Sequence, residues 1–154
     1  MRVSVASDMT DGVGGDLVGA IRARGHEPVL VHGALNPDER DDWAWASERA
    51  AGDVTDGRAE QAVVACWTGT GISIAANKID GVRAALCGDA ATAAAARYWN
   101  DANVLALSLR TTSEAALGEI LDAWFEGEAS TDAVDRANVE HLREIERGQS
   151  RRSR

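Results

Sequence analysis

Lysine is almost absent from this chain: Lys78 is the only one, and arginine supplies the rest of the side-chain positive charge. Acidic residues outnumber basic ones by 25 to 16, and the formal charge of -9 spreads a negative field over the surface. Such a field repels a phosphate backbone, so no nucleic-acid partner is expected. Cysteine is scarce too. Cys66 and Cys87 each close an apolar run, and no Cys/His cluster has the spacing of a zinc site, so neither a bound metal nor a disulfide framework is expected. That usage suits a reducing, cytoplasmic setting. No apolar stretch approaches the ~20 residues that span a bilayer, and MRVSVASD turns acidic too early for a signal peptide, so no membrane role is expected.

What is present is an alternation. Five short, β-branched apolar runs recur at Val3–Ala6, Pro28–Val31, Ala62–Cys66, Val82–Leu86 and Asn103–Leu107. Helical spacing fills the intervals. Gly14–Arg24 aligns Leu17, Val18 and Ile21 before a terminating Gly25; Trp43–Val54 and Asp89–Trp99 are alanine-rich; Ser113–Phe125 carries a wide apolar stripe behind Ser113 as N-cap. Asp132–Arg147 has a narrower stripe of Val134, Val139, Leu142 and Ile145, suited to packing on another surface such as a second subunit. Strand and helix in strict alternation predict an α/β fold with a parallel sheet covered on both faces. Residues 1–147 read as one domain, and 148–154 (GQSRRSR) as a disordered tail.

Ligands of such sheets bind beyond the carboxyl ends of the strands, which here are followed by S-D-M-T-D-G, C-W-T-G-T-G and C-G-D-A-A-T. The turn Gly69-Thr70-Gly71 between strand and helix aims backbone N–H groups at any anion in front of it. It lacks the third glycine of a dinucleotide fingerprint, because position 74 is Ile74, and it lacks the lysine of a P-loop, so no nucleotide cofactor is expected. An oxyanion site and a merely tight connection both remain. Cys66, just before a helix start, is either a reactive thiolate assisted by the Thr68 hydroxyl or a buried, inert thiol. Asp8 either orders sugar hydroxyls or caps a helix. His32, nearest of the three histidines to the ligand edge, reads as a loop residue.

The stretches T-G-T-G-I-S-I-A-A-N-K, G-V-R-A-A-L-C and R-Y-W-N-D-A-N-V-L-A-L, in this order between about Val63 and Arg110, resemble the type B ribose-5-phosphate isomerases and the related galactose-6-phosphate isomerase subunits. The resemblance implies a three-layer α/β/α Rossmann-like sandwich with a five-stranded parallel sheet. It further implies a homodimer with shared active sites, with a tetramer as the larger assembly left open. Its reaction interconverts aldose and ketose phosphates through an enediolate with no metal or cofactor. Carried over residue by residue, Cys66 is the base and Thr68 its assistant, and the N–H groups of Gly69, Thr70, Gly71, Ile72 and Ser73 hold the enediolate oxygen. Asp8, Asn100, Arg110 and Arg136 contact the substrate.

Two departures narrow this expectation. Met9 and Trp99 stand where the family has histidines, and neither side chain shuttles a proton near neutral pH. In the family's arginine-rich C-terminal stretch this chain reads E-G-E-A-S-T-D-A-V-D-R, leaving only Arg136 near a matching place. The reading is an isomerase of a small sugar phosphate that needs no ring opening, with Met9 and Trp99 lining its substrate pocket. The alternatives are an isomerase of a non-phosphorylated sugar and a silent sugar- or anion-binding protein on the same scaffold.

Overall fold

A computed structural model describes residues 1–152. Five strands, β1 (Arg2–Ser7), β2 (Glu27–Gly33), β3 (Gln61–Cys66), β4 (Ala84–Leu86) and β5 (Val104–Ser108), form one sheet in the order β2-β1-β3-β5-β4. Every pairing is parallel, with Ser7 beside both Gly33 and Ala65, and Cys66 beside Ser108. The helices are α1 (Leu17–Arg22), α2 (Trp43–Thr55), α3 (Thr70–Ala76), α4 (Ala90–Asn100), α5 (Glu114–Glu126) and α6 (Ala133–Arg152).

Period-two alternation along the central strands divides the interior into two layers. Val63, Ala65, Leu105 and Leu107 point to one side, where Leu17 and Ile21 of α1 and Ile120 and Trp124 of α5 cover them. Ala62, Val64, Cys66, Val104 and Ala106 point to the other, beneath Ala46 and Ala50 of α2 and Ile72 and Ala76 of α3. The second layer is mostly alanine, so α2 and α3 can lie close to the strands. The Ser47 hydroxyl of α2 reaches the Ile72 carbonyl at 2.7 Å within it. A buried bond of this kind contributes about 1 kcal/mol net and sets the placement of α3 against α2.

Several boundaries differ from the sequence reading, each for a local reason. Gly14–Asp16 forms a 3-10 turn and α1 begins only at Leu17, while Gly25 does end it, at φ +75°. β4 starts at Ala84 because the Val82 N–H closes a turn on the Ile79 carbonyl and the Arg83 N–H is taken by Asn103 Oδ1. Ser113 caps α5 as expected, its hydroxyl accepting from the Ala116 N–H at 3.2 Å. The expected tail is helical through Arg152, and 153 and 154 lie outside the described residues. Glu140 pairs with Arg143 and Arg147 along α6, and extending an existing helix costs far less than nucleating one. No helix of the described residues is long and apolar enough to cross a membrane.

Candidate active site

Cys66 is the last residue of β3 and is 4 % exposed. Its carbonyl accepts from the N–H groups of Gly69 (3.1 Å) and Leu109 (3.0 Å), which ties the turn to the end of β5. Gly69 sits in the left-handed region at φ +74°, and a Cβ there would stand 2.9 Å from the Leu107 carbonyl. Only glycine fits both conditions. Beyond it α3 begins with no side chain capping its first N–H groups.

The five expected donors are not equivalent. The Gly69 N–H bonds the Cys66 carbonyl and the Ser73 N–H bonds the Gly69 carbonyl at 3.2 Å, so both are committed within the chain. That leaves Thr70, Gly71 and Ile72, the first N–H groups of α3, which have no partner one turn earlier. The expected bond from Thr68 to Cys66 is also replaced. Thr68 Oγ1 lies 2.7 Å from Thr70 Oγ1, so the two exposed hydroxyls pair at the mouth of the turn.

Asp8 follows β1 directly, its N–H on the Ala65 carbonyl at 3.3 Å, which puts it beside the end of β3. It caps no helix: the turn at Gly14 has no side-chain cap, and Asp8 Oδ1 is buried without a hydrogen-bond partner. Burial pushes this carboxyl above its ordinary value, its own backbone N–H pulls the other way, and the charge of Asp41 adds to the rise. Asp8 and Met9 face an open cleft of about 380 Å³ whose far wall is Asn36, Glu39 and Asp41. Trp43 follows these wall residues in the chain, packed so close to the turn that a Cβ on Gly71 would stand 3.1 Å from its ring. Sequence reasoning did not single out Trp43. An exposed tryptophan opening a helix was the available signal, and its nearness to Gly71 is a property of the fold. Arg110 is exposed just past β5, its N–H on the Trp67 carbonyl at 3.0 Å.

The remaining expected residues lie elsewhere. α4 runs back from the end of β4 to the start of β5, so about 16 Å of helix carries Trp99 and Asn100 to the amino edge of the sheet. There Trp99, 56 % exposed, lines a depression of about 220 Å³ with Tyr98, Ser130, Arg136 and Arg143. Asn100 lines a neighbouring groove with Asn77 and Arg83. One chain therefore brings together Asp8, Met9, the Cys66 turn and Arg110, and holds Trp99, Asn100 and Arg136 at its opposite end. Among the described residues, no three His, Cys, Asp or Glu side chains are placed to hold a metal ion.

Similarity to known proteins defines the class first: an aldose-ketose isomerase of sugar phosphates on a Rossmann-like α/β scaffold. A family model described as Ribose/Galactose Isomerase matches residues 7–142, and the chain belongs to that family. It is 39% identical over 87 residues to a D-erythrulose-4-phosphate isomerase of Pectobacterium atrosepticum, a match spanning 54% of this chain and 57% of that protein. It is 37% identical over 109 residues to ribose-5-phosphate isomerase B of Escherichia coli, covering 71% of this chain and 72% of that one. The solved structure of Clostridium thermocellum ribose-5-phosphate isomerase B superposes with a TM-score of 0.86 at 31% identity, covering 97% of this chain and 99% of that chain.

Proposed function

We propose that this protein isomerises a four-carbon, open-chain sugar phosphate through an enediolate, with Cys66 as the base. The observation that carries the reading is the pairing of an intact Cys66 turn with the loss of both imidazoles, at Met9 and Trp99. A tetrose phosphorylated on O4 cannot close to a furanose, so it needs no acid for ring opening. The similarity to a D-erythrulose-4-phosphate isomerase supports the same substrate class.

In the reaction, the Cys66 thiolate takes a proton from the carbon next to the carbonyl and returns it to the former carbonyl carbon. The hydroxyl proton passes between the two oxygens, and no electrons leave the substrate. Negative charge gathers on oxygen only in the transition state. Donors from Thr70, Gly71 and Ile72 therefore act on rate more than on affinity. Asp8, already raised by burial, is suited to a hydroxyl beside that oxygen. Arg110, held beside the turn by its N–H on the Trp67 carbonyl, takes the phosphate in this scheme.

Trp99, Asn100 and Arg136 join the site only from a second copy, so the reading includes a homodimer in which the amino edge of one subunit completes the cleft of the other. Exposed Tyr98, Trp99, Val134, Leu142 and Ile145 at that edge support it. Incubation with D-erythrulose 4-phosphate and ribose 5-phosphate in deuterated water tests the reaction by NMR. Deuterium should enter at C1 or C2 of the tetrose phosphate far faster than of the pentose phosphate, and no exchange with either would end the proposal. A sedimentation measurement giving a monomer would remove the shared site.

A further inference from the structure

A buried polar network lies under the far wall of the cleft, and the mechanism above does not use it. His32, expected in a loop, is an inward-facing residue of β2 and only 7 % exposed. Its Nε2 lies 2.7 Å from Asp53 Oδ2, and its Nδ1 lies 3.0 Å from Glu39 Oε2. Asp53, on α2, also accepts from the Ser4 hydroxyl at 2.7 Å and from Arg58 Nε at 2.8 Å. Glu39, in the 34–42 loop, also accepts from Asn36 Nδ2 at 3.1 Å and pairs with Arg49 at 3.4 Å.

A neutral imidazole has one N–H, so it can donate to one carboxylate and would turn a lone pair on the other. Each carboxylate also accepts from other donors, Asp53 from Ser4 and Arg58 and Glu39 from Asn36. For Asp53, burial opposes ionisation, yet the bonds from His32, Ser4 and Arg58 outweigh it and hold the carboxyl below its ordinary value. Only the imidazolium donates from both ring nitrogens, one N–H to each carboxylate. With both N–H groups engaged, the ring has no proton to trade with a substrate, and its remaining capacity is mechanical.

The load it carries is the wall of the cleft. Glu39 sits at the middle of the 34–42 loop, which leads directly into Trp43 over Gly71. We propose that His32 is a positioning residue: as an imidazolium strut from Asp53 to Glu39 it sets how far the 34–42 wall stands from Asp8 and the Cys66 turn. The strut thereby sets the length of substrate the cleft accepts. The statement about length rests on the tetrose reading; the strut itself does not.

Two measurements need no substrate. With ¹⁵N-labelled histidine near neutral pH, the resonances lost in His32→Gln should show both ring nitrogens protonated in the wild type; a neutral tautomer there overturns the proposal. Amide hydrogen exchange at Asn36 and Glu39, whose N–H groups bond the Gly33 and Asn36 carbonyls, should quicken at least tenfold in His32→Gln while strand β3 stays protected. Unchanged loop exchange overturns it equally. Should His32→Gln fail to fold, Glu39→Ala cuts the same strut from the loop side and must give the same loop signature. With D-erythrulose 4-phosphate, both variants should raise KM about tenfold, the size of one lost charge-assisted bond, and leave kcat little changed. They should also narrow the preference over ribose 5-phosphate. A wild type inactive on both sugars would remove the tetrose reading and the statement about length, while the ring and exchange results still decide the strut.

Discussion

Two cysteines end neighbouring apolar runs at the same edge of the same sheet, and the chain makes different things of them. Cys66 closes β3 and is followed by a left-handed glycine and a helix whose first N–H groups no side chain caps. Cys87 follows β4, its N–H on the Ala106 carbonyl at 3.0 Å, and leads through Gly88 to Asp89. Asp89 occupies the start of α4 itself, accepting from the Thr92 N–H at 2.7 Å and the Thr92 hydroxyl at 2.8 Å. Burial first, and then the Asp89 charge, push the Cys87 thiol up to about 11. The chain supplies its own anion at one strand end and no side-chain cap at the other. A buried cysteine at a strand end is thus no sign of reactivity until the next three residues are known.

The largest effect should come from removing the thiol at the uncapped end. Cys66→Ala is expected to lower deuterium exchange into D-erythrulose 4-phosphate by about 10²–10⁴-fold while an NMR titration shows affinity retained; undiminished exchange would place the base elsewhere. Next is the backbone that separates the two ends. Gly69→Ala forces a side chain into φ +74° and against Leu107, and should cost about 1–3 kcal/mol in chemical denaturation along with most of the activity. Gly88→Ala meets nothing within 4 Å and should be silent in both assays.

The pH response sharpens the contrast further. The Cys87 thiol titrates near 9.0 when unfolded and at about 11 when folded, so its protonated form is favoured by folding. That stability is fully present below pH 9.0 and is lost as pH rises through about 11, a slope that Cys87→Ala should remove from alkaline melting curves. Iodoacetamide at neutral pH should label Cys66 in preference to Cys87 by mass spectrometry. The smallest effect is Asp89→Asn, which keeps the cap but removes the charge. The Cys87 titration should move down only slightly, since burial is the larger cause.

Much of this was legible residue by residue. Strand and helix identities followed from β-branched runs, alanine-rich intervals, the stop at Gly25 and the start at Ser113, because those signals act within one turn of the chain. The Cys66 turn was legible for the same reason: its geometry is made by consecutive residues. His32 was misjudged because a histidine after an apolar run gives no sign of Asp53 and Glu39, its partners 21 and 7 residues away. Trp43 escaped notice since its neighbour Gly71 belongs to another helix. Thr68 was assigned to Cys66 by nearness in sequence, whereas Thr70, equally near, is its partner in space.

By itself, then, the sequence determined the order of strands and helices, the family, the thiol with its glycine turn, and the loss of imidazoles at positions 9 and 99. These depend on local preference and side-chain chemistry, which a linear string carries in full. Only the tertiary structure decided which N–H groups of the turn remain open, that Asp8 faces a cleft instead of capping a helix, and that His32 braces the opposite wall. It also decided that Trp99, Asn100 and Arg136 stand at the far edge of the sheet. Those outcomes depend on which distant segments the parallel pairing sets side by side, and burial and hydrogen-bond satisfaction are settled only once that packing exists.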